Sequence, residues 1–398
     1  MLNSLSSMEP VDLAHGDRSA KQGAGKPRLL LVKLGAIGDV IMAIPAAASR
    51  HSAGYQVDWV CSEAVAPVLR CYPWIYVIAV DEPKLLRGAL QERVGGMLRL
   101  WQRLQERSKD VGGYETIATL YYDARYRLLT LPLRARRKIH LSRTDRAKAL
   151  LPGRHHTEEY DRILSGRTDG ELPERLSPVP IPDLPPAPLP LREGAPRVVL
   201  VPAGARNALR DDALRRWPVE QYVRLAELLL AAGCEVVLAG GPDDRWASQH
   251  FSEVGANAPA GCFADLTGSC TLLETLGLLN SAEVTVTHDT GPLHLAGITS
   301  TAIVTLFGPT DPHGRLPQKG NAVAIWGGSG FACRPCYDGR DYAPCAHNGC
   351  MAQITPEEVA KEVLSLVQAR RTGCRLPPRI CAPEADGLAI VPSGGGEP

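Results

Sequence analysis

Val284-Thr285-Val286-Thr287-His288-Asp289-Thr290-Gly291-Pro292-Leu293-His294 is the stretch on which the rest of the chain can be read. Val284–Thr287 alternates β-branched residues and predicts a strand. Pro292 then stands near the first position of a helix, where a fixed φ is favoured and the missing N–H is no loss. A strand feeding directly into a helix is half of a βαβ unit. The same alternation extends outward. Val198–Val201, Glu235–Ala239 and Ala302–Phe307 read as strands, and Pro218–Ala232, Thr271–Asn280, Pro292–Ile298 and Pro356–Arg370 as helices. Nearer the N-terminus, Leu29–Lys33, Val57–Cys61, Trp74–Val80 and Thr116–Leu120 read as strands. Asp39–Arg50 reads as a helix there, and Leu85–Arg107 as one long amphipathic helix.

Eight prolines between Pro173 and Pro190 interrupt this alternation. Such a density sustains neither a helix nor a central strand and favours an extended linker. The expected organisation is a disordered tail at 1–27, a lobe at 28–172, a proline-rich linker at 173–196, a second lobe at 197–370, and a partly disordered tail at 371–398. The expected fold class is α/β, with two Rossmann-like lobes whose parallel sheets face an interlobe cleft. Ligands in such sheets bind beyond the carboxyl ends of the strands, so the cleft is the default site.

Composition removes several alternatives. The 398 residues carry 44 Lys and Arg against 43 Asp and Glu, a net charge of +1. No overall attraction to nucleic acid follows, and electrostatic work must come from local clusters. No apolar run approaches the ~20 residues of a membrane-spanning helix. Residues 1–27 carry Asp12, Asp17, Arg18 and Lys21 without the apolar core of a secretory signal. The expected location is the cytoplasm, with loose peripheral attachment to a membrane face allowed. Eleven cysteines in a reducing compartment argue against a disulfide framework.

Six motifs could carry chemistry. Lys33-Leu34-Gly35-Ala36-Ile37-Gly38-Asp39-Val40 lies between a strand and a helix start. Its glycines permit close backbone approach, and Asp39 is either a reactive carboxylate or a helix cap. The spacing is not that of a dinucleotide fingerprint. In Asp289-Thr290-Gly291-Pro292-Leu293-His294 the helix-start N–H groups suit a phosphate, with Thr290 and His294 in reach; the alternative is a capped helix with a buried histidine. Arg210, Arg215 and Arg216 precede the helix starting near Pro218 and could clamp a diphosphate, or could pair with Asp211 and Asp212. Gly240-Gly241-Pro242-Asp243 ends a strand, so that Asp243 could accept from a ribose hydroxyl, yet it also suits an ordinary turn. Tyr121–Arg154 carries ten Lys or Arg, among them Arg125, Arg127, Arg136, Arg137 and Lys138, against Asp123 and Asp145. That patch fits an anionic acceptor, a membrane face or a solvated surface. Cys333, Cys336, Cys345 and Cys350 place four thiols in eighteen residues, with structural zinc and buried apolar cysteine as the two readings.

Taken together these motifs resemble glycosyltransferase family 9, the ADP-heptose:lipopolysaccharide heptosyltransferases. The segments that carry the likeness are Leu29–Val40, Arg215-Arg216-Trp217-Pro218, and Asp289–His294 with Leu306-Phe307-Gly308-Pro309-Thr310-Asp311-Pro312. The resemblance spans roughly 28–370 and implies a GT-B fold, with acceptor in the first lobe and nucleotide sugar in the second. It implies inverting, metal-independent transfer needing no cofactor, with Asp39 as general base. Asp289, Thr290, Gly291 and His294 would hold the donor diphosphate and sugar, Arg215 would stand where the family has a phosphate-binding lysine, and Asp243 would hold the ribose. The implied donor is a nucleotide-diphosphate sugar, by default ADP-heptose. The implied acceptor is an anionic glycan or glycolipid, by default the lipid A–core, reached at the inner membrane face. Two other readings remain at this point: a sugar-nucleotide epimerase of similar fold, and a nucleotide-sugar-binding protein without turnover.

Overall fold

A computed structural model describes residues 26–171, 174–206 and 211–383. The expectations for Pro173, Arg210, and the outer parts of both tails, 1–25 and 384–398, lie outside the described residues.

Two all-parallel sheets organise the chain. The first half runs β1 (Arg28–Val32), α1 (Ile37–Ser52), β2 (Gln56–Ser62), α2 (Ala66–Arg70), β3 (Ile75–Val80), α3 (Glu82–Arg87), α4 (Leu90–Asp110), β4 (Tyr114–Thr119), α5 (Arg125–Leu128), β5 (Ala135–His140) and α6 (His156–Ser165). Its strand order is β3-β2-β1-β4-β5. The second half runs β6 (Arg197–Leu200), α7 (Val219–Ala231), β7 (Glu235–Leu238), α8 (Arg245–Ser248), α9 (Ser252–Asn257), β8 (Phe263–Asp265), α10 (Leu272–Ser281), β9 (Val284–His288), α11 (Gly291–Gly297), β10 (Ala302–Phe307), β11 (Ala322–Trp326), α12 (Gly349–Ala352), α13 (Pro356–Arg371) and β12 (Arg379–Cys381). Its order is β12-β11-β10-β9-β6-β7-β8. The central strands β1, β6, β9 and β10 are buried on both faces, which is why they read as unbroken apolar or β-branched runs. Thr271 with Glu274, and Thr355 with Glu358, form capping boxes that start α10 and α13.

Strand order also places the functional region. Chain direction across the first sheet reverses between β1 and β4, and across the second between β6 and β9. Loops leaving neighbouring strands diverge at such switch points and leave a crevice. The two crevices meet, because α1 and α11, which open directly beyond them, pack on each other. A Cβ on Gly38 would lie 2.4 Å from His294 Cδ2, and one on Gly291 would lie 3.6 Å from Ile37 Cβ. Residues 174–196, free of helix and strand, are anchored to both halves. Tyr72 Oη donates to the Val179 carbonyl at 2.7 Å, and Ile181 N donates to Ile298 O at 3.4 Å.

The structure corrects several readings. Leu85–Arg107 is not one helix. Asp81 caps α3 through Lys84 N, the chain turns extended at Gly88, and α4 restarts with Glu92 accepting from Ala89 N. Only glycine fits at the break, since a Cβ there would sit 2.7 Å from the Lys84 carbonyl oxygen. The segment after α13 does not fray at once: β12 pairs with β11 in parallel. Asp39 does not start α1, which begins at Ile37. β5, β8, β11 and α6 were not anticipated. β5 reads Ala-Arg-Arg-Lys-Ile-His at a sheet edge, and α6 hides its polar residues through the buried Glu159–Arg162 pair at 2.7 Å.

Candidate functional site

At the first crevice, Lys33 leaves β1 and Asp39 occupies the first turn of α1. Lys33 Nζ donates to Asp39 Oδ2 at 3.0 Å, and Asp39 caps no backbone N–H. The lysine side chain is 3% exposed while that of Asp39 is 34% exposed, so the carboxylate is held from behind and open in front. Lys33 Nζ also lies 4.9 Å from the Tyr121 ring centroid, at the end of β4. Burial by itself would raise the Asp39 pKa. The Lys33 ammonium, with a smaller contribution from Arg315, outweighs that and holds it below the ordinary carboxylate range.

At the second crevice Asp289 is 2% exposed and lies 3.7 Å from both Arg215 Nη1 and Arg315 Nε. Burial would raise its pKa; the Arg315 and Arg215 guanidiniums outweigh that and bring it to about 2. The Tyr337 ring sits between the same two arginines, 5.5 and 5.6 Å from their guanidinium carbons. Arg215 Nε donates to Tyr342 Oη, and its Nη2 pairs with Asp212 at 3.2 Å. Thr290 precedes α11 without capping it; its Oγ1 accepts from Ala205 N at 3.0 Å, tying the β6 and β9 loops together. A Cβ on Gly204, whose φ is +96°, would meet that hydroxyl at 2.9 Å. Arg216 turns inward as well, donating from Nε to the Gly204 carbonyl at 2.9 Å.

Histidines line the junction. His294 is 5% exposed and its pKa is depressed to about 4, chiefly by burial. Burial and Arg315 bring His156, at the start of α6, to about 3. Both are neutral at pH 7, so the positive charge of the cleft resides on Lys33, Arg215 and Arg315. Asp289 Oδ2, Thr310 Oγ1, His156 Nδ1 and His288 Nε2 are buried without a hydrogen-bond partner. Buried polar atoms are seldom left so, and Asp289 Oδ2, set between Arg215 and Arg315, is placed to accept from a polar ligand.

The remaining candidates divide. Gly240 and Gly241 lie at the end of β7, where the organising carboxylate is Asp244: it accepts from Gly204 N at 3.0 Å and Gly241 N at 2.8 Å. Asp243 is exposed on the outer side of that turn. The basic patch is dispersed. Arg125 pairs with Asp123 at 2.6 Å, and Arg136 approaches Glu115 at 3.8 Å. Arg137 donates to the Leu164 and Ile163 carbonyls at the end of α6, and Lys138 donates to Leu133 O at 2.7 Å. Arg127 is exposed. The four cysteines are free thiols, with Cys333 and Cys345 exposed and Cys336 and Cys350 half-buried. Among the described residues no three His, Cys, Asp or Glu side chains converge as a metal-ligand set. The segment between those cysteines instead supplies Tyr337 and Tyr342 to the arginines.

Arg315, Asp244, Tyr337 and His156 were missed from sequence. The one available signal for Arg315 was a cation four residues beyond the Asp311 of the Leu306–Pro312 segment.

The family model described as glycosyltransferase family 9 (heptosyltransferase) matches residues 189–347. Lipopolysaccharide heptosyltransferase 1 of Pseudomonas aeruginosa is 27% identical over 381 residues, 87% of this chain and 99% of that protein. The structure of the Escherichia coli ADP-heptose LPS heptosyltransferase II superposes with a TM-score of 0.65 at 19% identity, covering 86% of this chain and 99% of that one. Escherichia coli heptosyltransferase WaaC with ADP-2-deoxy-2-fluoro heptose gives 0.59 at 18% identity, covering 85% and 99%. These superpositions identify the arrangement of two parallel sheets as the GT-B fold.

Proposed function

We propose that the chain is a member of glycosyltransferase family 9 and that it transfers heptose from ADP-heptose to a lipopolysaccharide-core acceptor at the cytoplasmic face of the inner membrane, with inversion and without a metal. The observation that carries this reading is the opposition of two crevices: a lysine-held, solvent-reachable Asp39 on one side, and the Asp289 site with its two arginines on the other.

The chemistry follows from the geometry. Asp39, ionised at pH 7, removes the proton from the acceptor hydroxyl as its oxygen attacks the anomeric carbon. The bond from that carbon to the diphosphate breaks, and the electron pair leaves on the diphosphate. Arg215, Arg315 and the backbone N–H groups beside Thr290 and Gly291 stabilise the charge that develops there. These fixed donors supply what a metal would otherwise provide. Asp289 Oδ2, lacking a hydrogen bond, is suited to accept from a donor-sugar hydroxyl. Asp243, exposed beyond β7, remains the candidate for the ribose, while Arg216 acts through Gly204. The first half would hold the acceptor, with exposed Arg127 the least engaged of the basic residues proposed for it.

Purified protein with ADP-heptose and a lipid-linked core acceptor tests the reading. Acceptor-dependent release of ADP with formation of the heptosylated acceptor supports it. Conversion of the donor sugar without acceptor makes the protein an epimerase, and saturable binding without turnover makes it a binding protein; either outcome rejects transfer.

Two further results are expected. Lys33→Met removes the cation that depresses the Asp39 pKa and leaves the raising effect of burial. A base is needed in its ionised form, so the acid limb of kcat/KM should move to higher pH. An unmoved limb would exclude this pair as the titrating unit. Gly38→Ala drives a methyl into the His294 ring, 2.4 Å from Cδ2. It should displace α1 from α11 and lower kcat about 10²-fold. Circular dichroism should remain that of the folded chain; full activity would show that the two helices need not meet during turnover.

A further inference from the structure

Nine large hydrophobic side chains are exposed among the described residues, and five of them lie in the first half on α4 and at or just beyond the end of α5: Leu90 (69% exposed), Val94 (50%), Leu98 (56%), Leu128 (47%) and Leu131 (60%). Leu90, Val94 and Leu98 recur at every fourth residue of α4, so they form a single stripe. Trp101 stands one turn further on; its Nε1 donates to the Leu128 carbonyl at 2.9 Å and brings the α5 segment alongside. The core-facing side of α4 is already satisfied by Leu100 and Leu104, which are buried. The helix therefore presents a second apolar face, and to solvent. Contiguous exposure of this kind marks a docking surface.

Its surroundings select the partner. Arg93, Arg127 and Arg134 are exposed near the stripe and its α5 extension, and none forms an ion pair among the described residues. The neighbouring acids are engaged: Glu92 with Ala89 N, Asp123 with Arg125, and Glu115 with Arg136. An apolar stripe edged by free arginines is the pattern of a helix lying in a membrane interface. A second copy of this chain fits poorly, since a twofold contact would set these arginines against themselves.

We infer that this face of α4, with the segment between α5 and β5, docks on an anionic phospholipid surface, its leucines entering the headgroup boundary and its arginines meeting lipid phosphates. The purpose rests on the proposed function, because a lipid-linked acceptor must reach Asp39 from a bilayer. The route is short. Tyr126 on α5 stacks on Tyr121 with ring centroids 4.2 Å apart, and Tyr121 lies against Lys33, the partner of Asp39.

Flotation of the full chain with vesicles tests the surface without any substrate. The protein should float with vesicles containing phosphatidylglycerol, stay behind with vesicles of phosphatidylcholine alone, and be released by high salt. Leu98→Glu/Leu131→Glu should weaken flotation at least about tenfold, while the thermal transition and ADP affinity stay unchanged. Failure of the wild type to float, or undiminished flotation of the double variant, overturns the inference. So does a wild-type oligomer that the double variant converts to monomer, which would mean that a second copy covers the stripe. Because no sugar is present, failure here leaves the transfer reaction standing, and absence of transfer leaves the surface standing.

Discussion

Asp39→Asn is expected to lower kcat about 10³-fold while leaving the Kd for ADP within about threefold of the wild type. Asparagine keeps the volume and an acceptor oxygen for Lys33 Nζ, now 3.0 Å from Oδ2, so α1 should start as before. What is lost is the capacity to take a proton. The expectation depends on exposure as much as on charge: the Asp39 side chain is 34% exposed and can reach an acceptor, whereas Asp289 is 2% exposed and committed to two arginines. Steady-state kinetics with calorimetry of ADP binding separate the roles. If ADP affinity fell as far as kcat, Asp39 would be part of the donor site and the base would have to be sought elsewhere.

Arg315→Met should have the second-largest effect, lowering kcat/KM for the donor about 10²–10³-fold. Arg315 shares Asp289 and Tyr337 with Arg215, so its guanidinium is fixed before any ligand arrives. It also contributes to holding down the pKa values of Asp39 and His156. Its removal should therefore carry a second signature: the acid limb of kcat/KM moves to higher pH, in the same direction as for Lys33→Met. Arg315→Lys should restore the limb, since charge suffices for that, but recover turnover only partly, because an ammonium cannot reproduce the planar fork. A drop in activity with an unmoved limb and a lowered thermal transition would reduce Arg315 to a structural residue.

Where the chain is buried on both faces of a sheet, it was legible. Leu29–Val32, Val284–His288 and Ala302–Phe307 are apolar or β-branched runs, and each is a strand at or near the expected bounds. The placement of Asp39, Asp289 and Thr290 at the crevices was legible because a strand end and a helix start adjoin them in sequence. What escaped comes from elsewhere in the chain. Arg315 reaches Asp289, and Tyr337 reaches the two arginines, from segments after β10 and β11, and His156 arrives from α6 in the other half; no local period records such meetings. The division of labour between Asp243 and Asp244 was equally hidden, because two adjacent carboxylates differ only in which one the Gly204 and Gly241 amides reach. Arg137 and Lys138 show the opposite failure. Their charge suggested a ligand, and the fold uses it to hold backbone carbonyls. The break at Gly88 was masked by leucines that keep a helical period on both sides of it.

The most direct measurement is a crystal structure of the protein with ADP bound. The diphosphate is expected against Thr290 and Gly291, within hydrogen-bonding distance of Arg215 and Arg315, with its terminal phosphate turned toward Asp39. A diphosphate bound away from α11, or an Asp289 segment still closed to the nucleotide, would contradict the account.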